Sequence, residues 1–576
     1  MTSQPGQAGE RQVIFVGGPL LVDRGGPIRS KVLQQVRREK RLQRQSTAAA
    51  ELEALLRERA YPQCTCDDRQ DPSTHVHAQQ TNCRGVAGYR SIKPRAVELK
   101  ARPEKGRLCT FCGRYLRLPN PNERVDSLIR DVGAGCFDPM IPVNELTSQL
   151  QVREILHFAT NQIWPNFRPL GYTAKCYQLW VFPLEDKVRL YAVLWSASYH
   201  QDVLRLTYGG SRQGSKEQFY LKGLALESLR KAVSSYKGTT PIDSIIMCIL
   251  FLAVNDTHGI KLFRDPSPFT PTFTGIHALD IYGSRDYHAL HWKVIQDLLG
   301  QFGGISVLRE FALAWLLSIS DIMNAAHTFR KPIYPALGVD GKMLQLDPPF
   351  VLFAQYGAIS QGEVRSKEPG SGFDELLSLS PPVRQGLVTV FAHVGQLSHV
   401  LQHFSKAPCS PAALDHLGDS RNLVHHRLFS LPDENDDIEQ ILLVSARKPG
   451  KDIKVSKELY LTCRLAVHLY ASHVTFPIPQ TTVVRVPLLQ SLYPKLQFLA
   501  NQGVSGPLLL WCAVVSLVAS HGTPIADWLL VLVKNLCGKL KVMGLDHLLK
   551  LLRSFAWVDV AVKHHYEGLL GDIFTP

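Results

Sequence analysis

Cysteine is the residue type in this chain best suited to chemistry. Of the 12 cysteines, five fall between positions 64 and 112. Cys64 and Cys66 form a C-x-C, Cys83 follows alone, and "LCTFCGR" supplies Cys109-x2-Cys112 with Gly113 behind it. A C-x2-C turn relieved by glycine lets two thiolates face one ion, which is half of a tetrahedral zinc site. The candidate ligands are Cys64, Cys66, Cys109 and Cys112, and His75 and His77 could add imidazoles. The two pairs stand more than 40 residues apart and the first is irregularly spaced. Free thiols are therefore the plainer expectation, with no cofactor required and a structural zinc as the alternative.

A second chemical feature is charge. "IRSKVLQQVRREKRLQRQS", Ile28 to Ser46, holds seven basic residues and one acid. On a helix Arg37, Arg41 and Arg44 lie along one side at i, i+4 and i+7, with Arg38 beside them. Arg29, Lys31, Arg37, Arg38, Lys40, Arg41 and Arg44 are the candidates for phosphate contact on DNA or for a nuclear-import patch, of which "RREKR" is the core. A solvated helix face without a partner is the competing reading. No aromatic residues interleave the run, so base stacking on single strands is not expected.

Enzyme signatures are missing. There is no G-x-S-x-G, no G-x4-G-K-[ST], no H-E-x-x-H and no strand-embedded G-x-G-x-x-G. His425–His426 and His564–His565 are adjacent pairs, which on a helix diverge by about 100° and serve one metal poorly. His288 and His291 share a face, but no carboxylate pattern completes a site. The expectation is a protein that is not an enzyme.

The elements that must position these groups divide the chain in two. Residues 1–130 carry 24 Lys and Arg against 13 Asp and Glu, a surplus of +11; the other 446 carry 40 against 37, a surplus of +3. Such asymmetry points to an acidic partner at one end. The first region reads as a flexible basic arm with one helix near 30–59, where Val32 to Arg59 is free of Pro and Gly. From 137 to 576 the apolar spacing is helical. Helices are expected over 144–164, 184–205, 215–236, 286–302, 307–327, 382–405, 457–476, 488–502, 506–520, 524–540 and 544–570. A further one begins at Thr240, Pro241 and Asp243, ends by Gly259 and is apolar on all sides. Loops are expected over 261–284, 333–348, 361–373 and 406–420, where Pro, Gly, Ser and Asp gather.

The fold class is therefore all-α: a large multi-helix domain preceded by a basic, partly disordered region. An apolar content of 45% and a charged content of 20% are globular values. "MTSQPGQAGE" lacks the features of a secretory leader. The longest apolar run, 507–520, is shorter than the ~20 residues of a bilayer span and reads as a core helix. No membrane association is expected, and the cysteines are expected to be reduced.

"HWKVIQDLLGQFGGISVLREFALAWLLSISDIMNAAHTFRKPIYP", 291–335, resembles the helical region of fungal-specific transcription factors that accompanies binuclear zinc clusters. A helix ending at Phe302-Gly303-Gly304, then W-x5-D from Trp315 to Asp321, then Arg330-Lys331-Pro332 carry the likeness. Segments 136–165, 506–530 and 553–570 are similar to the entry and C-terminal parts of that family, and the lead segment is similar to that of members without the zinc cluster. The six-cysteine cluster itself is missing, so its sequence-specific DNA recognition does not carry over. The resemblance implies a nuclear transcriptional regulator whose helical domain contacts other nuclear regulatory proteins. Its basic arm would serve nuclear import and DNA phosphate contact. The alternative is a helical interaction scaffold that never touches DNA. Gly303 or Gly304 is expected to cap a helix in the left-handed conformation, and Trp315 and Asp321 to be structural.

Overall fold

The computed structural model describes residues 152–575, apart from 182–184, 208–215, 239–240, 256–263, 284–286, 359–367, 445–450 and 567, together with two short strands. All of these belong to the unit Glu58–Pro576. The strands, β1 (Arg107–Leu108) and β2 (Tyr115–Leu116), pair antiparallel with Arg107 opposite Leu116. Apart from two isolated bridges, Leu337 to Met343 and Val383 to Leu442, the other regular elements among the described residues are helical, as the spacing of apolar residues predicts.

In chain order the α-helices are α1 (Val152–Phe158), α2 (Trp164–Phe167), α3 (Tyr172–Cys176), α4 (Lys187–Thr207), α5 (Lys216–Ser235), α6 (Asp243–Asn255) and α7 (Leu279–Tyr282). Then come α8 (Ala289–Phe302), α9 (Leu313–Thr328), α10 (Pro349–Ala354), α11 (Gln385–Phe404), α12 (Pro411–Phe429) and α13 (Ile438–Ile441). The last are α14 (Lys451–Tyr470), α15 (Thr481–Asn501), α16 (Pro507–Ala519), α17 (Ile525–Lys539), α18 (Leu545–Leu552) and α19 (Asp559–Val562). Three wide π-type turns continue helices at Ala159–Ile163, Tyr177–Val181 and Ala471–Thr475.

The core is centred on α16. Pro507 starts it at a position that needs no N–H, and every residue from Leu508 to Ala519 is buried. It packs against α14 and α17. Trp511 inside it donates from Nε1 to the Ala556 carbonyl at 3.0 Å and stacks on Phe555, so the indole is satisfied at both its polar and apolar ends. Burying each such large side chain contributes roughly 1.5–3 kcal/mol. α6 is buried nearly all round, also as its composition predicts, but Phe251 is only half-buried. Asp243 starts α6; its carboxylate accepts the backbone N–H groups of Arg309 and Glu310 at 2.6 and 2.7 Å and so ties that helix to the approach to α9.

Three expectations are corrected. The stretch 544–570 is not one helix: α18 stops at Leu552, because Phe555, Ala556, Trp557 and Val558 leave the helical path to fill the core beside Trp511. The loop expected over 406–420 ends at Ser410, and from Pro411 onward the chain is α12. Ser410 is its N-cap, accepting from the Ala413 N–H at 3.2 Å, and Pro411 is its first residue. The Ser and Pro that read as loop signals are start signals. In the loop expected over 261–284, a 3₁₀ turn at Ile276–Ala278 runs into α7. Gly303, at φ 99°, does cap α8 in the left-handed region. Thr240 and Gly259, the expected ends of the α6 helix, lie outside the described residues, as does the helix near 30–59.

Candidate functional site

A cavity of about 60 Å³ lies among α2, α3, α4, α6 and α9. One water needs roughly 10–15 Å³, so this space holds more than a single trapped solvent molecule. Its walls are aromatic: Trp164, Phe167, Tyr172, Trp180, Phe251 and Tyr282 all face it. Ser196, Ser320 and His277 are the other polar contributors. No Asp, Glu, Lys or Arg is among the lining residues. Phe167, Phe251, Tyr282 and Ser320 are half-buried, so the cavity meets solvent on their side.

Local backbone irregularities converge on this space. Ile163 and Trp180 belong to two of the three π-type turns, which widen the helix and swing a side chain out of the regular row. Phe273, His277 and Ala278 have φ of 55°, 55° and 51°, a left-handed conformation that non-glycine residues adopt only when their surroundings enforce it.

The enforcement comes from α12. Arg421, fully buried, donates from Nη1 to the Phe273 carbonyl at 3.2 Å and from Nη2 to the Ile276 carbonyl at 2.6 Å. From the next residue, the amide nitrogen of Asn422 lies 3.1 Å from Nδ1 of His277. An amide N–H can only donate, so Nδ1 accepts and the ring proton sits on Nε2. Gly418 makes room for the imidazole: a Cβ there would stand 2.6 Å from its Cε1 and Nε2. The ring meets Trp315 edge-on at 5.1 Å.

Behind the aromatic wall lies an ion-pair cluster. Arg168, at the end of α2, donates from Nη1 to Asp419 at 2.7 Å and stands 3.7 Å from Asp415, both on α12. Its guanidinium lies 5.8 Å from the Trp315 ring centre. Burial pushes the Asp419 carboxyl above its usual range, and Arg168 pulls against that shift. The cluster pins the α2 end of the cavity to α12.

The residues singled out for chemistry in the sequence fall elsewhere. Arg29, Lys31, Arg37, Arg38, Lys40, Arg41 and Arg44 lie outside the described residues, as do Cys64, Cys66, Cys109 and Cys112. Cys176, Cys248, Cys463, Cys512 and Cys537 are buried free thiols, and burial pushes Cys248 up to about 12, which makes it inert. Among the described residues no group of three or more His, Cys, Asp or Glu side chains is placed to hold a metal ion. His425 and His426 diverge, one toward Thr475 and the other toward the Tyr334 carbonyl. The His288 and His291 rings stack at 4.3 Å.

The cavity is not visible in the sequence because the first half of its holding helix, 411–420, carries loop signals and Arg421 and Asn422 fall in no expected element. A signal was present: Leu414, Leu417, Val424 and Leu428 repeat as one helical stripe after Ser410-Pro411, with Arg421 in the slot an apolar residue would take. Compared with known protein families, with curated proteins and with solved structures, the chain matches none.

Proposed function

We propose that this chain is a nuclear transcriptional regulator of the fungal transcription-factor type, acting through a helical interaction domain and a basic arm. The observation that carries the reading is the segregation of charge: a surplus of +11 in residues 1–130, concentrated in Ile28–Ser46, against +3 in the rest. An arm of that sign attached to a nearly neutral body suits a polyanion, and a DNA duplex presents the densest phosphate array. Arg29, Lys31, Arg37, Arg38, Lys40, Arg41 and Arg44 would supply import and phosphate contact. Base specificity has no assigned residues in this reading. The helical body, in which no described helix is long and apolar enough to cross a membrane, would contact other regulatory proteins.

The test compares the full chain with a variant in which Arg37, Arg38, Lys40, Arg41 and Arg44 are all changed to Gln. Fluorescence anisotropy with a mixed-sequence duplex is recorded at several salt concentrations. The expected result is binding that weakens with salt in the unaltered chain. In the variant, low-salt affinity is expected to fall at least about tenfold, with a shallower slope. Equal binding by both chains removes the arm as the DNA contact, and no binding by either at low salt removes the DNA contact altogether and leaves the helical scaffold. A fluorescently tagged pair of the same chains reads nuclear accumulation independently.

A further inference from the structure

We infer that a second cavity, lined by residues 264–274, is a binding site for a small zwitterion, a free α-amino acid, whose carboxylate meets Arg264 and whose ammonium meets Asp265. This inference does not depend on the DNA contact proposed above.

The size permits it. The cavity measures about 250 Å³ and reaches solvent at the exposed Thr270. A space of roughly 150 Å³ already admits a benzene-sized molecule, and drug-sized ligands occupy roughly 300–1,000 Å³. A single small metabolite fits between those limits.

The charges select the class of guest. Arg264 and Asp265 are consecutive and both line the cavity, yet they form no ion pair with each other or with any other described residue. The Arg264 guanidinium donates from Nη1 to the Ile478 carbonyl at 2.9 Å and from Nη2 to the Pro477 carbonyl at 3.1 Å. Two neutral carbonyls fix its position without cancelling its charge, and they leave N–H groups for an incoming acceptor. Burial lowers the Arg264 pKa, and Asp280 opposes that shift only from a distance. Asp265 accepts the Thr482 N–H at 3.0 Å through Oδ2 and has Oδ1 to spare, with Arg485 acting on it from beyond ion-pair reach. A simple anion would meet Asp265 as a like charge, and a simple cation would meet Arg264 in the same way. A guest carrying both signs is opposed by neither.

The remaining walls are set in advance. The Asp265 N–H donates to the Pro479 carbonyl at 2.9 Å, the Thr270 N–H to the Ala561 carbonyl at 2.8 Å, and Nε2 of His565 to the Pro268 carbonyl at 2.7 Å. The segment is thereby tied to the start of α15 and to α19, so a guest need not order it on entry. Ser267 Oγ accepts from the Phe269 N–H at 3.1 Å and lies 2.8 Å from Nδ1 of His473, which fixes that hydroxyl as well. Thr274 adds a hydroxyl and Phe269 an apolar wall for the side chain of the guest.

The experiment uses the full chain. Each of the common L-amino acids, and glycine, is added at about 2 mM, which covers dissociation constants up to roughly the millimolar range, and Tm is recorded. The one that raises Tm most is titrated by calorimetry, beside the amine that lacks its carboxylate and the acid that lacks its ammonium. The expected result is saturable binding of the amino acid and at least about tenfold weaker binding of each analogue. Asp265→Asn keeps an acceptor for the Thr482 N–H and removes the charge, so it is expected to weaken the amino acid at least about tenfold. Thr270→Trp covers the mouth from an exposed position and is expected to give the same loss if the first variant does not fold. A Tm unmoved by every amino acid, either analogue binding as tightly as its parent, or unchanged affinity in a folded variant overturns the inference.

Discussion

Asp321 shows how a residue-scale role is decided by its neighbours. Its carboxylate is buried in α9 and accepts the backbone N–H groups of Ile333 and Tyr334, the latter at 2.7 Å. Burial pushes its pKa up to about 7, with the two N–H donors pulling the other way. A raised carboxyl contributes stability that is full below its unfolded value of about 4 and is lost as pH rises to about 7. Asp321→Asn keeps an acceptor and removes the charge, so it is expected to hold stability at pH 7 and to remove that pH-dependent loss. Asp321→Ala orphans two buried donors and is expected to cost about 2–4 kcal/mol. Urea unfolding at pH 4.5 and 7 checks both; equal loss in the two variants would refute the acceptor role. W-x5-D was legible in the sequence as structural. The partners of Asp321 were not, since they stand 12 and 13 residues away on a loop whose path only packing fixes.

At the scale of elements, glycine distinguishes helices that touch backbone to backbone from those that do not. Gly395 in α11 faces Gly370, and a Cβ on it would stand 2.6 Å from the Gly370 Cα and 2.6 Å from the Phe555 carbonyl oxygen. Neither neighbour is a side chain that can swing away. Gly395→Ala is therefore expected to destabilise by about 2–3 kcal/mol through overpacking. Gly223, exposed on α5, has nothing within 4 Å of the same position. Gly223→Ala is expected to stabilise by about 0.5–1 kcal/mol, because only the entropic cost of glycine in a helix is removed. Urea midpoints of the two variants should move in opposite directions; shifts of the same sign would contradict the packing described. Both glycines sit in stretches read as helix from sequence alone, and nothing in their flanking residues tells them apart.

For the whole molecule, the buried histidines set the response to acid. Burial lowers His425, His468 and His473 to about 3, and His393 and His426 to about 4. A depressed group contributes stability above its unfolded value of about 6.5 that is lost as pH falls toward the folded one. Near pH 5 the unfolded chain binds protons at these five sites that the native chain refuses. Asp321, Asp419 and Glu375, all raised by burial, run the other way. The net expectation is a fall in stability between pH 6.5 and 4.5 whose slope corresponds to about two to four protons. Urea unfolding across that range measures the slope, and a flat profile would mean these histidines are charged in the folded protein.

The sequence by itself determined the all-helical class, the buried character of α6 and α16, the cap at Gly303 and the uneven spread of charge. These are properties of composition and of spacing within one helix, and they need no knowledge of what a helix packs against. Only the tertiary structure decided that Ser410-Pro411 opens α12, that α18 ends at Leu552 to let Phe555 and Trp557 into the core, and that Arg421 and Asn422 bend the 273–278 segment into a cavity wall. The Arg421 contacts span 148 and 145 positions, the end of α18 depends on the volume left between helices, and Ser410-Pro411 is a local start signal that reads as a loop until the packed helix behind it is seen. The pattern of one segment does not encode such contacts, because an arginine in an apolar stripe looks like an error until its acceptors are seen.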